Sequence, residues 1–223
     1  MSALLISLRT LFIGAVLLLA NAAWAEAQNP LMAERFIAGE HYEVLEVPVG
    51  TRDADKVEVV EMFSYACIHC FNFEPYVKAW SAKQDDGVDF YVVPAIFNAD
   101  WERLAQAYYT AEALGVVDKV HARMFDGIHN RNEDLRQPEL LAPIYQELGG
   151  VSEADFGAAF SSFSVKSRVQ QAKAKGRAYR ITGVPTLVVN GKYRIDGRMA
   201  GGNAAMLEVV DFLVAKEQAN NAE

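Results

Sequence analysis

The sequence is poor in cysteine, with only two among 223 residues. That is too few for a small fold stapled by several disulfides. It also lacks basic clusters: no run of Lys or Arg exceeds two residues, and 21 basic against 29 acidic side chains give a net charge of −8. A duplex-binding surface must neutralise phosphates, so nucleic acid is not an expected partner. Low-complexity segments and internal repeats are absent. Hydrophobic residues nevertheless make up 52% and charged residues 22%. That balance argues against disorder and allows one domain or two small ones.

The longest apolar stretch lies at the start. Arg9 is the only charge before Glu26, and Leu11 to Ala20 is wholly apolar. Ala23 and Ala25 supply the small residues of a signal-peptidase site. The uncharged run Thr10–Ala25 spans 16 residues, short of the ~20 a bilayer helix needs. Residues 1–25 are therefore expected to be a cleaved secretory signal rather than an anchor, with a mature chain exported to a bacterial periplasm, where thiols are oxidised.

Along the mature chain, residues 26–40 read as a tail with a short helix. His41–Val47 reads as a strand, and Val57–Phe63 as a strong, mostly buried one. After Cys67-Ile68-His69-Cys70, apolar residues recur at Phe73, Val77 and Trp80 with helical spacing, and Pro75 is expected to kink that helix. Val88–Val93 is the next strand. Strand, helix and strand in about 40 residues form a βαβ unit with parallel pairing. Helices then follow at Asp100–Leu114, Val117–Ile128 and Pro138–Leu148, one opened by Ser152, and one over Val165–Tyr179. β-character returns at Thr186–Asn190 and Tyr193–Ile195, joined by the hairpin signal Asn190-Gly191. A final helix is expected over Asn203–Lys216.

The chemistry concentrates at Cys67 and Cys70. A zinc site would need about four N or S ligands. There is no second cysteine pair, and His121 and His129 lie eight residues apart in the helical block. As a purely structural disulfide, the pair would close too short a loop to gain much. Cys-x-x-Cys beside a βαβ pattern in a secreted chain favours a redox dithiol. Cys67, at the helix N-terminus, is expected to be the attacking thiolate. Cys70, one turn in, should be buried and resolve the mixed disulfide. His69 can add positive charge or a hydrogen bond to the Cys67 sulfur, although it could be merely an exposed loop residue. Glu61, in the buried strand, is a candidate proton carrier, its competing reading being an edge or surface acid. Pro185 precedes a strand, where an ordinary strand-start proline is the simpler reading.

These segments together resemble the thioredoxin superfamily, and within it the DsbA family of thiol oxidases. The resemblance rests on Val60-Glu61-Met62-Phe63-Ser64-Tyr65 before the dithiol and Phe73-Glu74-Pro75 after it. It extends through Ala113-Leu114-Gly115-Val116, Asp118-Lys119-Val120 and Ser162–Ser167 in the helical block. Gly183-Val184-Pro185 and Val189–Tyr193 complete it. It implies an α/β thioredoxin fold, residues 26–97 and 171–223, interrupted by an all-helical domain, 98–170. It also implies a cis Pro185 facing the dithiol, with Val184 and Pro185 binding substrate, and Glu61 as the family's buried acid. The implied activity is disulfide donation to reduced or unfolded secreted proteins by a monomer. No cofactor or metal is expected beyond the Cys67–Cys70 disulfide. Reoxidation is expected from a membrane quinone-linked partner of the DsbB type. A reductase of the same fold, or a non-catalytic metal- or peptide-binding module, are the alternatives. Two positions depart from the family: Ile68 stands where proline is usual, and Val92 where some relatives carry lysine.

Overall fold

The computed structural model describes residues 35–221, so the signal segment and the tail to residue 34 lie outside the described residues. From Phe36 onward the chain packs as one unit. Its centre is a five-stranded mixed sheet in the order β1-β5-β4-β2-β3. The strands are β1 (Glu43–Val44), β2 (Val57–Phe63), β3 (Val88–Pro94), β4 (Thr186–Val189) and β5 (Tyr193–Asp196). β2 and β3 are parallel, joined through helix α1 (Ile68–Ser81), while β4 lies antiparallel on the other side of β2.

Every residue of β2 is buried, the five apolar ones and also Glu58 and Glu61. Alternate side chains feed two cores. Val57 and Val59 join Phe73 and Val77 of α1 and Met206 and Val210 of the last helix. Val60 and Met62 face a block of five helices. These are α2 (Ala99–Ala113), α3 (Val117–His129), α4 (Pro138–Gly149), α5 (Glu153–Phe160) and α6 (Phe163–Ala178). A one-turn helix α7 (Gly197–Ala200) and a long α8 (Asn203–Asn221) complete the chain.

Local signals explain many of the boundaries. Ser152 and Ser162 accept hydrogen bonds from the backbone N–H three residues on and start α5 and α6. Gly150, at φ 71°, ends α4. Asn190 and Gly191 both have positive φ, as a type I′ turn requires. Glycine is needed at 191 for a second reason: a Cβ there would sit 1.9 Å from the Val49 carbonyl.

Several expectations need correction. The strand expected over His41–Val47 shrinks to the short edge strand Glu43–Val44, which pairs only with Arg194 and Tyr193 of β5. The part of the expected 26–40 helix that is described, from residue 35, is bend and turn. Helix α7 was not expected, and it is opened by Asp196, whose carboxylate accepts from the N–H groups of Arg198 and Met199 at 2.9 Å each. Helix α8 runs past Lys216 to Asn221. Helix α6 continues unbroken across the boundary drawn at 170/171.

Candidate redox site

β2 delivers the chain to a tight turn, Ser64-Tyr65-Ala66, whose backbone is tied by Cys67 N–H donating to the Ser64 carbonyl at 3.0 Å. The Ser64 hydroxyl also accepts from Ala66 N–H at 3.2 Å. Cys67 then occupies the N-cap of α1, and its Sγ accepts the Cys70 N–H at 3.4 Å. A sulfur placed here meets N–H groups that have no partner within the helix. Both cysteines are free thiols, Cys67 partly exposed and Cys70 buried.

The electrostatics of the pair are opposed. The Cys67 thiol is lowered from 9.0 to about 6, foremost by a hydrogen bond from the Cys70 side chain. The backbone N–H groups of Cys70 and His69 and the charge of His69 add to this, against partial burial. Cys70 is raised far above the usual thiol range, first by burial, then by its bond to Cys67 and by the charges of Cys67 and Glu61. The two sulfurs differ as a nucleophile and a protonated neighbour would.

His69 is exposed on the first turn of α1, and its influence on Cys67 ranks below that of the N–H groups. Glu61 is 2% exposed. Its carboxyl is pushed up to about 8, chiefly by burial and then by the negative charges of Glu74 and Cys67. The Val184–Pro185 bond is cis. It brings the Val184 carbonyl to 3.4 Å from Cys67 Sγ, within reach of the thiol proton. A cleft of about 520 Å³ opens beside this loop, lined by His69, Thr182, Val184, Pro185, Arg198 and Asn203 among others. The structure thus brings Cys67, Cys70, His69 and Val184-Pro185 to one edge, with Glu61 beneath.

Sequence reasoning weighed His121 and His129 only as metal ligands. The structure places both against the dithiol segment. His129 Nε2–H donates to the Tyr65 carbonyl at 2.8 Å, and its ring stacks on Phe71. His121 lies 2.8 Å from the Tyr65 hydroxyl and 3.3 Å from Glu74. No spacing signal could have shown these pairings, since the partners are 47 to 64 residues apart. Among the described residues, no group of three His, Cys, Asp or Glu side chains gathers as a metal site.

Comparison with known proteins agrees with this geometry. A family model described as DSBA-like thioredoxin domain matches residues 81–214. The thiol:disulfide interchange protein DsbA of Pseudomonas aeruginosa is 39% identical over 212 residues, covering 95% of this chain and 98% of that protein. The protein of the same name from Azotobacter vinelandii is 40% identical over 215 residues, covering 95% and 99%. The crystal structure of Pseudomonas aeruginosa DsbA superposes with a TM-score of 0.81 at 39% identity, over 86% of this chain and 99% of that one. The oxidoreductase DsbA of Xylella fastidiosa gives 0.77 at 36% identity, over 82% and 98%.

Proposed function

The chain belongs to the DSBA-like thioredoxin family and is a thiol:disulfide oxidoreductase, and we propose that it donates its Cys67–Cys70 disulfide to reduced proteins exported to the periplasm. A substrate thiolate attacks Cys67 Sγ, the Cys67–Cys70 bond breaks, and the Cys70 sulfur leaves and takes up a proton. The substrate's second thiolate then attacks the substrate sulfur of the mixed disulfide and expels Cys67 as a thiolate. Two substrate thiols are oxidised to a disulfide, and the enzyme's disulfide is reduced to a dithiol.

The observation that carries this reading is the split between the sulfurs: Cys67 is accessible and lowered to about 6, while Cys70 is buried and held protonated. A good leaving thiolate at Cys67 favours release of oxidised substrate. His69 supports that thiolate, Glu61 supplies the proton for Cys70, and Val184-Pro185 seats the substrate chain strand-wise beside the sulfur. The reading includes a cleaved signal over residues 1–25, a monomeric mature protein, and reoxidation by a membrane quinone-linked partner of the DsbB type. It requires no cofactor other than the protein's own disulfide. It also treats 98–170 as a helical insertion into the thioredoxin-like part, with α6 running on from one into the other.

The test is oxidative refolding of a reduced secreted protein by stoichiometric oxidised enzyme. Wild type should deliver one disulfide per molecule, Cys67→Ser none, and Cys70→Ala, activated as a mixed disulfide, should trap a substrate carrying a single cysteine on non-reducing gels. Faster alkylation of Cys70 than Cys67 in the reduced protein would reverse the assignment. Reduction of insulin with no oxidation of dithiols would favour the reductase.

A further inference from the structure

The exchange reaction leaves one step without a route: Cys70 leaves as a buried thiolate and must be protonated. Glu61 can give that proton, but Glu61 is itself buried and must be refilled from water. The structure offers one face for this. β2 and β3 pair with Glu61 opposite Val92, and paired residues of a sheet point the same way. Val92 forms part of the wall of a cavity of about 300 Å³ between α1 and α3. Glu74, Lys78, Asp118 and His121 line the same cavity. These four side chains give an otherwise largely apolar wall its polar groups, and the space is large enough for several waters.

His121 is the most constrained polar group there. Its two ring nitrogens face the Tyr65 hydroxyl at 2.8 Å and Glu74 Oε2 at 3.3 Å. The rings of Phe63, Tyr65 and Phe125 surround it, with centroids 5.2–5.4 Å away. The imidazole is thus fixed in direction, with its side chain only 15% exposed, at the mouth between the aromatic cluster and the cavity. The ionisable groups facing it are Glu74 and Lys78 from α1, Tyr65 from the turn, Tyr108 from α2, and Asp118 on its own helix. Of these residue types, only an imidazole ordinarily gains and loses its proton between pH 5 and 8.

We propose that His121 is the positioning residue through which the buried Glu61–Cys70 pair exchanges its proton with water. The His121 Nε2–H, which points at Glu74, passes its proton to that carboxylate and takes another from solvent, and Glu74 hands the proton on through the cavity to the Glu61 carboxylate. Glu61 has already protonated the departing Cys70 thiolate, so the net change is one proton from water to Cys70. Electrons move only between sulfurs. This inference rests on the reading that Cys70 is the leaving sulfur.

The test is stopped-flow reduction of the oxidised protein by excess dithiothreitol from pH 5.5 to 9, followed by tryptophan fluorescence. Wild type, His121→Gln and His121→Ala are compared, the last with and without added imidazole. The glutamine keeps hydrogen bonds to Tyr65 and Glu74 but cannot carry a proton. Its rate should fall about ten-fold, less than the roughly 10²–10⁴-fold of a group touching the reacting atoms. Its solvent isotope effect should rise, and imidazole should restore the alanine variant. The Cys67 thiolate absorbance titration should be unchanged in both. An unaltered rate and pH profile in His121→Gln overturns the proposal. So does a loss that follows a shifted Cys67 titration or a lowered melting temperature and is not rescued by imidazole. Failure of the wild-type disulfide to react at all would instead overturn the exchange reading on which this rests.

Discussion

The lowered Cys67 thiol has a stability consequence that can be worked through. Take the unfolding free energies of the reduced and the oxidised protein and follow their difference with pH. In the reduced protein the folded Cys67 titrates at about 6 against an ordinary 9.0. A depressed folded value stabilises the folded state in full above the unfolded value, and that gain is lost as pH falls through about 6. Three pH units correspond to ~4 kcal/mol at most, and about one unit, ~1.4 kcal/mol, is present at pH 7. Cys67 is partly exposed, so solvent screening takes these to roughly half. Forming the disulfide removes the thiolate and with it this gain. Closure of the four-residue loop returns ~2 kcal/mol to the oxidised form, but that contribution does not vary with pH. Burial of Glu61 destabilises both forms alike as pH rises, so most of it cancels in the difference. The reduced form should therefore gain about 2 kcal/mol on the oxidised form between pH 6 and 9, with little change below 6. Urea melts of both forms across pH measure this. The reduction potential provides a check that is independent of screening. It should fall by ~60 mV per pH unit below 6, where two protons accompany two electrons, and by ~30 mV above, where only Cys70 takes one. A slope of ~60 mV that persists to pH 8.5, or a stability gap that stays flat, would mean that Cys67 is an ordinary thiol.

Two further outcomes follow from the same geometry. Glu61 is raised from 4.5 to about 8, so its contribution is intact below 4.5 and lost as pH rises through 8. Glu61→Gln should be near neutral at pH 4.5 and stabilise by ~2–4 kcal/mol at pH 9, read by urea melts; a variant weaker than wild type at every pH would show that the carboxyl is held by bonds rather than suppressed by burial. Ile68→Pro restores the family's usual residue at the first position of α1, where a proline needs no N–H partner. The leading influences on Cys67 come from Cys70 and His69 rather than Ile68, so its titration at 240 nm should move by less than about half a unit, and a shift beyond one unit would contradict that ranking.

What could be read in advance divides by sequence distance. The extent of β2, the burial of Phe73, Val77 and Trp80, the serine caps and the Asn190-Gly191 turn each depend on residues within a few positions of one another. Periodicity and turn chemistry suffice there. β1 was read as too long because its pairing with β5, 150 residues away, does not show in its own β-branched content. The short α7 carries no periodicity and depends on one aspartate cap. At the site, Cys67 and Cys70 were legible because one turn of helix holds both. Glu61 was legible as a charge in a mostly apolar strand, although Glu58 in the same strand is buried as well. Pro185 needed the family resemblance, since its nearness to Cys67 spans 117 residues of chain through Val184. His121 was seen as a histidine without a role, since its partners Tyr65 and Glu74 come from other elements.

The ordering of influences on Cys67 joins these pieces. The helix N-terminus is the influence the sequence points to, with His69 able to add to it, yet the hydrogen bond from the Cys70 thiol comes first. That bond exists only while Cys70 holds its proton. The reactivity of the exposed sulfur therefore depends on the protonation of the buried one, which faces the Glu61 charge. Glu61 in turn feels Glu74, the acid that holds His121. Nucleophile activation and proton delivery are thus one coupled system, running from the helix N-terminus through the centre of the sheet to the cavity beside α3. In such a system, replacements of Glu61 and His121 should combine non-additively in their effect on the rate at which the disulfide is reduced, whereas replacements of Glu61 and the exposed His69 should add.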